Sequence, residues 1–394
     1  MKRAPRVGVF GLLGSGNLGN DGSLEAVLGY LRAEHPDAVL TGLVGGPDIV
    51  RERYGVDTTP LHWNQAEYET ASGLRSIVLK GLGKLVDIGR TAAWVREQDV
   101  VIVPGMGVLE ATLPLRPWGF PYSLFLLSAA GRLFGTKVAL VSVGANEISA
   151  RATRTLVRWS GRLAAYRSYR DDISRDAMRA MGVDTSRDEV YPDLAFSLPT
   201  PAAGGEPGTV GVGVMAYYGG NDDRADSDRI YRHYVDTMNR FVAWLVDQDR
   251  PVRLFIGDQI DRQVVDEILE KTASPLVTAA SAETLDELMH EMAAVDSVVA
   301  TRYHNVLCAL KVAKPTVAIG YAPKNDVLMA EMGLDGFTQR AKTVDFDRLV
   351  EQFTELENRS PELRQILAER NENNVQRLKD QFAALSAALF GGAR

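Results

Sequence analysis

Arg302 and His304 stand two residues apart, just beyond the short apolar run Ser297–Ala300 and at the start of a helical pattern. An arginine offers a planar, permanently charged fork that matches phosphate or carboxylate. A histidine exchanges a proton near neutral pH. An anion clamp beside a proton carrier suits chemistry on a phosphorylated ligand, and in an open parallel α/β sheet the carboxyl ends of strands are where ligands bind. Tyr321 and Lys324 follow the next apolar run, Thr316–Ile319, and Lys324 adds a further cation. Of the five histidines, His304 is the one this reading places at a strand end. The residues alone also allow a plainer alternative, in which Arg302 caps a surface ion pair and His304 is a satisfied core residue.

Three further segments have residues suited to a site. The loop from Gly11 to Gly22 follows the first apolar run and precedes a helical pattern. Its glycines let the backbone turn tightly and approach a ligand at a helix N-terminus. The spacing is neither a dinucleotide fingerprint nor a P-loop. Gly16, Asn17, Gly19, Asn20 and Asp21 suit sugar hydroxyls better than a pyrophosphate, although a sharp turn without a ligand would use the same residues. Arg170 closes the run Ala165–Arg170 and is expected in the crevice of the first half, with Asp171 or Asp172 capping the helix that follows and Asp193 paired with Arg170. Pro104–Leu109 and Ser142–Glu147 read as strand-end turns that could wall the same pocket.

To hold these residues at strand ends the chain must alternate strands with helices, and it does. Strand-like runs at Val7–Leu12, Val39–Val44, Val100–Val103 and Lys137–Val143 are separated by helical patterns, the first over Ser23–Glu34. After a Pro- and Gly-rich stretch from Leu198 to Gly208 the pattern restarts at Val210–Met215, Val252–Ile256, Ser297–Ala300 and Thr316–Ile319. The expected fold is α/β: two doubly wound parallel-sheet, Rossmann-like domains facing across a cleft, similar to the glycosyltransferase-B architecture. The boundaries are 1–198 for an N-terminal domain on the acceptor side and 209–345 for a C-terminal domain on the donor side. Residues 346–394 would form helices packing back on the first domain.

The 394 residues suffice for two domains, and 45% hydrophobic with 24% charged content is that of a chain with buried cores. A net charge of -7 argues against a nucleic-acid partner. The single cysteine, Cys308, excludes an internal disulfide and reads as a small buried residue. No signal-peptide core or spanning segment is visible, so a cytoplasmic protein is expected. Two basic helical stretches could lie against anionic lipid at the inner membrane face, or be solvated faces. One has Arg75, Lys80, Lys84 and Arg90 among Leu74, Ile77, Val78, Leu82, Leu85, Val86 and Ile88; the other has Arg151, Arg154, Arg158 and Arg162 beside Trp159.

Arg302-Tyr303-His304 after an apolar run, the small-residue helix, Pro315, Tyr321 and Lys324 together resemble the polysaccharide pyruvyl transferase family. Arg170-Asp171-Asp172-Ile173-Ser174, then Gly182, then Tyr191 to Phe196, resembles a second pattern of that family, and Gly14 to Asp21 resembles its N-terminal loop. The resemblance spans residues 7–335. Two positions depart from it: Asn20 stands between Gly19 and an acid, leaving the functional role open between Asn20 and Asp21, and Met106 replaces one of three consecutive glycines. The resemblance implies transfer of a pyruvate ketal from phosphoenolpyruvate to a sugar of a polysaccharide or a lipid-linked oligosaccharide. The donor would be held by Arg170, Arg302, Lys324 and Tyr321, with His304 and Arg302 catalytic. Gly16, Asn17, Gly19, Asn20 and Asp21 would face the acceptor, and neither cofactor nor metal is expected. A glycosyltransferase of the same fold using a nucleotide sugar is the alternative.

Overall fold

Continuous apolar runs, rather than alternating ones, are what strands buried on both faces require. In a computed structural model, which describes residues 3–63, 74–110, 117–202, 204–205 and 207–391, those runs form two all-parallel sheets. The side chains of residues 74–80 and 221 lie outside the description, and with them Arg75 and Lys80. The first sheet contains β1 (Arg6–Gly11), β2 (Val39–Val44), β3 (Asp57–Pro60), β4 (Val100–Pro104), β5 (Lys137–Val143), β6 (Tyr166–Tyr169) and β7 (Glu189–Val190). Its order is β3-β2-β1-β4-β5-β6-β7. The second contains β8 (Val210–Gly213), β9 (Val252–Phe255), β10 (Val277–Ala279), β11 (Ser297–Ala300), β12 (Thr316–Gly320) and β13 (Thr338–Arg340), in the order β10-β9-β8-β11-β12-β13. In each, the chain winds outward from a central pair, β1 and β4 or β8 and β11, where the strand order reverses.

The chain divides into two compact units. Unit 1 runs to Ser15, resumes over Ser23–Leu194 and takes the chain from Arg377 onward; unit 2 comprises Gly16–Gly22 and Ala195–Gln376. The first turn of α1 (Leu18–Glu34) thus belongs to unit 2 and the rest of that helix to unit 1. The terminal helix α13 (Ser360–Phe390) is divided too. Its later part packs in unit 1, where Phe382 stacks on Tyr30 at 4.6 Å and the buried Gln381 donates to Ser142 Oγ and Ser168 Oγ at 2.8 and 2.9 Å. Its earlier part stays with unit 2, where Asn371 donates to the carbonyls of Leu310 and Lys311. α12 (Phe346–Asn358) does the same, with Phe353 edge-on to Phe241 and Glu357 paired to Arg250. Only part of the stretch 346–394 therefore rests on the first unit. Among the described residues no helix is long and apolar enough to cross a membrane.

At the C-terminal end of α10 (Tyr303–Lys311), Lys311 is 3% exposed and donates to the Phe196 carbonyl at 2.9 Å. Burial pushes its pKa down to about 8, because the charged amine has left water for one neutral acceptor. The unfolded chain therefore binds this proton more tightly, and stability rises with pH between the folded value and the ordinary lysine value. Comparing urea unfolding of the protein and Lys311→Met from pH 7 to 10, the free-energy difference should move steadily in favour of lysine. A pH-independent difference would contradict this burial.

Candidate functional site

The site in unit 2 is built at its reversal point. β11 ends at Ala300, Thr301 follows, and Arg302 turns the chain as the N-cap of α10, with φ -62° and ψ 135°. Its guanidinium is held by Asp261, Nε at 2.8 Å from one carboxylate oxygen and Nη2 at 2.7 Å from the other. Asp261 is fully buried and also accepts from the backbone of Ala216 at 2.9 Å and Gly257 at 3.4 Å, beyond the ends of β8 and β9. One carboxylate thus ties three strand ends together, its lone pairs answered by a charge-assisted fork and two N–H groups. Burial works against the charge on Arg302, but Asp261 outweighs it and the pKa is raised above the ordinary arginine value. Tyr234 braces the same point, its hydroxyl 2.7 Å from Thr301 Oγ1 and accepting from Met215 N at 3.2 Å.

The next strand adds the second cation. Beyond β12, Lys324 occupies the first turn of α11 (Pro323–Glu331), its Nζ 5.6 Å from the ring centroid of Tyr303 and 5.3 Å from that of Tyr321. Such distances are those of cation–π contacts. His304 lies in the first turn of α10, edge-on to Tyr303 at 5.1 Å. The loop Gly16–Gly22 packs on it: a Cβ at Gly19 would clash with the imidazole ring. Asn17 forms an isolated antiparallel bridge with Asp258, and its carboxamide oxygen accepts from Asn20 N at 3.2 Å, capping α1. Asp21 is buried and Asn20 half-buried. Unit 2 therefore gathers Arg302, His304, Tyr321 and Lys324 with Gly16, Asn17, Gly19, Asn20 and Asp21.

Arg170 is placed differently. It follows β6 in unit 1, is 4% exposed, and carries three carboxylates around its guanidinium. Glu110 pairs with Nη2, Asp171 lies 3.7 Å from Nε and Asp193 3.8 Å from Nη1. The expected pairing with Asp193 is present, and Asp171 caps α6 (Asp172–Ala180) by accepting from Ser174 N at 2.7 Å. An arginine answered by three acids has little charge left for an anionic donor. Met106 has φ 60° and turns its buried side chain onto Gly11, into the hydrophobic core.

Two residues of consequence carried no signal in the sequence, Asp261 and Glu110; Asp261 meets Arg302 from a short 3-10 turn at the start of a helix and Glu110 meets Arg170 from a loop, 41 and 60 positions away. A third, His62, also stands at a strand end. It follows β3, is 6% exposed, and places Nδ1 3.3 Å from Asp87 on α3 (Leu74–Arg96). With Gly45, Gly46, Pro47 and Leu61 it lines a cavity of about 300 Å³. Among the described residues no group of His, Cys, Asp and Glu is arranged to hold a metal ion.

Removing the cation of the unit 1 cluster should be felt as lost stability. Arg170→Met leaves buried carboxylates uncompensated, a change that typically costs about 3–5 kcal/mol. A marked fall in the thermal midpoint is expected, with Glu110→Gln in the same background recovering part of it. An unchanged midpoint would show the cluster to be solvated.

Among known folds, the chain superposes on a putative UDP-N-acetylglucosamine 2-epimerase from Listeria monocytogenes with a TM-score of 0.63, at 11% identity, over 99% of this chain and 98% of that one. The UDP-GlcNAc 2-epimerase of Neisseria meningitidis, solved with UDP-GlcNAc, gives 0.62 at 10% identity over 98% and 100%. MurG of Acinetobacter baumannii gives 0.55 at 13% identity over 94% and 95%. Such identities establish the fold alone: two parallel-sheet α/β domains of the glycosyltransferase-B type. No curated protein matches the sequence. The family model for polysaccharide pyruvyl transferase matches residues 17–323, which include the Gly19 loop, Arg170, Arg302 and His304, and the chain belongs to that family of transferases.

Proposed function

We propose that the protein transfers a pyruvate ketal from phosphoenolpyruvate to a sugar of a cell-surface polysaccharide or its lipid-linked precursor, working in the cytoplasm. The observation that carries this reading is Arg302, fixed by Asp261 at the reversal point of unit 2, beside His304 and Lys324. Phosphoenolpyruvate carries a carboxylate and a phosphate, and Arg302 and Lys324 supply two cations for them. Each stands in the first turn of a helix or at its cap, where backbone N–H groups also favour anions. Tyr321 lines the same strand end.

In this reading protonated His304 gives its proton to the methylene carbon, which becomes the methyl group and leaves C2 electrophilic, and the first sugar hydroxyl then adds to C2 while its proton returns to His304. The C2–O bond to phosphate then breaks, the second hydroxyl closes the ketal, and its proton leaves with the phosphate. Gly19 lets the Gly16–Gly22 loop reach the imidazole, so this loop is the part of unit 2 suited to presenting the acceptor hydroxyl. Arg170 is assigned to the integrity of unit 1 rather than to the donor. The nucleotide-sugar alternative shares the fold, and fold does not fix the reaction.

Incubation with phosphoenolpyruvate and candidate saccharides should release inorganic phosphate, and phosphoenolpyruvate alone should raise the melting temperature. Stabilisation by a UDP-sugar with none by phosphoenolpyruvate would overturn the assignment. His304→Gln should lower turnover by roughly 10²–10⁴ with donor affinity kept within a few-fold. Gly19→Ala, which forces the imidazole aside, should lose turnover in the same direction while the protein stays folded. Full activity in either variant would remove His304 from the reaction.

A further inference from the structure

Unit 1 has a cavity of its own at strand ends, and no step of the proposed reaction uses it. It opens beyond β2 and β3, where Asp48 and Ile49 stand in the first turn of α2 (Pro47–Tyr54) and Leu61 and His62 follow β3. His62 is held there by an acid. Asp87 lies on the buried stripe of α3 with Gly83, Thr91 and Val95, a place where an unanswered carboxylate is costly. It accepts from Trp63 N at 2.8 Å and from Arg90 Nη1 at 3.4 Å, and His62 Nδ1 lies 3.3 Å away. Burial works to raise its pKa, yet the hydrogen bonds from His62 and Trp63 outweigh that and hold the carboxyl below its ordinary value. An ionised carboxylate only accepts, so Nδ1 is the donor, and both tautomer and orientation of the imidazole are fixed.

The lining decides the class of ligand. Among the described residues no lysine or arginine lines the cavity, and the nearby arginines are engaged elsewhere. Arg51 serves Asp48 and the Thr58 carbonyl, and Arg90 serves Asp87 and the Pro60 carbonyl. An anionic ligand would therefore meet the Asp48 carboxylate with no cation on the wall to answer it. Most of the wall is apolar, from Pro47, Ile49, Pro60 and Leu61, with His62 and Asp48 as its polar side chains. A pyranose matches both parts. Its hydroxyls exchange hydrogen bonds with an imidazole and a carboxylate, and its C–H groups lie on apolar side chains. Trp63, the residue after His62, is 53% exposed and adds a flat apolar surface with one polar edge. The volume, about 300 Å³, is at the low end for small-molecule sites and suits one sugar ring rather than a nucleotide sugar.

We propose that this cavity is a subsite for one neutral sugar ring, a unit of the saccharide acceptor bound on unit 1. That the ring belongs to an acceptor rests on the reaction proposed above, but the cavity shares no residue with the site in unit 2, and its test needs neither phosphoenolpyruvate nor turnover. The full chain would be titrated with glucose, galactose, mannose and N-acetylglucosamine, each alone, and followed by saturation-transfer difference NMR. At least one should bind, and its 1-phosphate should bind no more tightly. Ile49→Arg, at a position 43% exposed, should abolish binding with an unchanged thermal midpoint. His62→Gln, whose amide can still donate to Asp87, should weaken it roughly fivefold or more. Failure of all four sugars to bind would overturn the proposal, as would undiminished binding in either variant or a preference for the phosphorylated sugar. A protein that binds the sugar but releases no phosphate from phosphoenolpyruvate would contradict the reaction and leave the subsite standing.

Discussion

The carboxylate of Asp261 is the interaction on which the arrangement in unit 2 depends. It is buried without exposure and satisfied by four donors, two from Arg302 and one each from Ala216 and Gly257. Leaving such a group unpaired in a protein interior costs several kcal/mol, so Arg302 cannot leave it freely. The guanidinium is thereby fixed to within hydrogen-bond tolerance before any ligand arrives, and no rotamer entropy remains to be lost there on binding. The same pairing has a cost: the ion pair is neutral overall, and two of the five N–H donors are committed. Attraction of a highly charged donor must then come from Lys324, from the helix N-termini and from the remaining edge of Arg302.

The two strand-end arginines show how the same residue type in the same topological position acquires different characters. Arg302 has one acid and keeps 19% of its side chain exposed, whereas Arg170 has three acids and keeps 2%. Position beyond a parallel strand delivers a side chain to the crevice, but the loops that come to meet it decide whether its charge is spent internally. Glu110 arrives from the loop after β4 and Asp193 from the segment after β7, and together they enclose Arg170.

The central strands were legible because most of their residues are buried and apolar; β5 and β11 begin and end where the apolar runs do, and β2 does so too although its first half is only partly covered. The four strands that the pattern missed, β3, β7, β10 and β13, are the four sheet edges. They have two to four residues each, include polar ones such as Asp57, Thr58 and Gln339, and owe their extended form to one neighbour rather than to their own sequence. Missing β3 also hid His62. Of the site, the residues on strand ends could be read, while Asp261 and Glu110 could not, since nothing local tells an acid at a turn or helix start that reaches a distant arginine from one that faces water. For α3 the apolar periodicity was present, but periodicity does not say which face turns inward, and there the small and polar stripe is the buried one.

Whether Asp261 positions Arg302 for the donor can be measured as a coupling. Phosphoenolpyruvate would be titrated calorimetrically into the protein, Arg302→Lys, Asp261→Asn and the double variant. If the carboxylate acts through the guanidinium, Asp261→Asn weakens binding without touching the donor, and the double variant is scarcely worse than Arg302→Lys, giving a coupling of about 1–3 kcal/mol. Losses that simply add, or an Asp261→Asn protein that binds phosphoenolpyruvate as tightly as the parent, would contradict it.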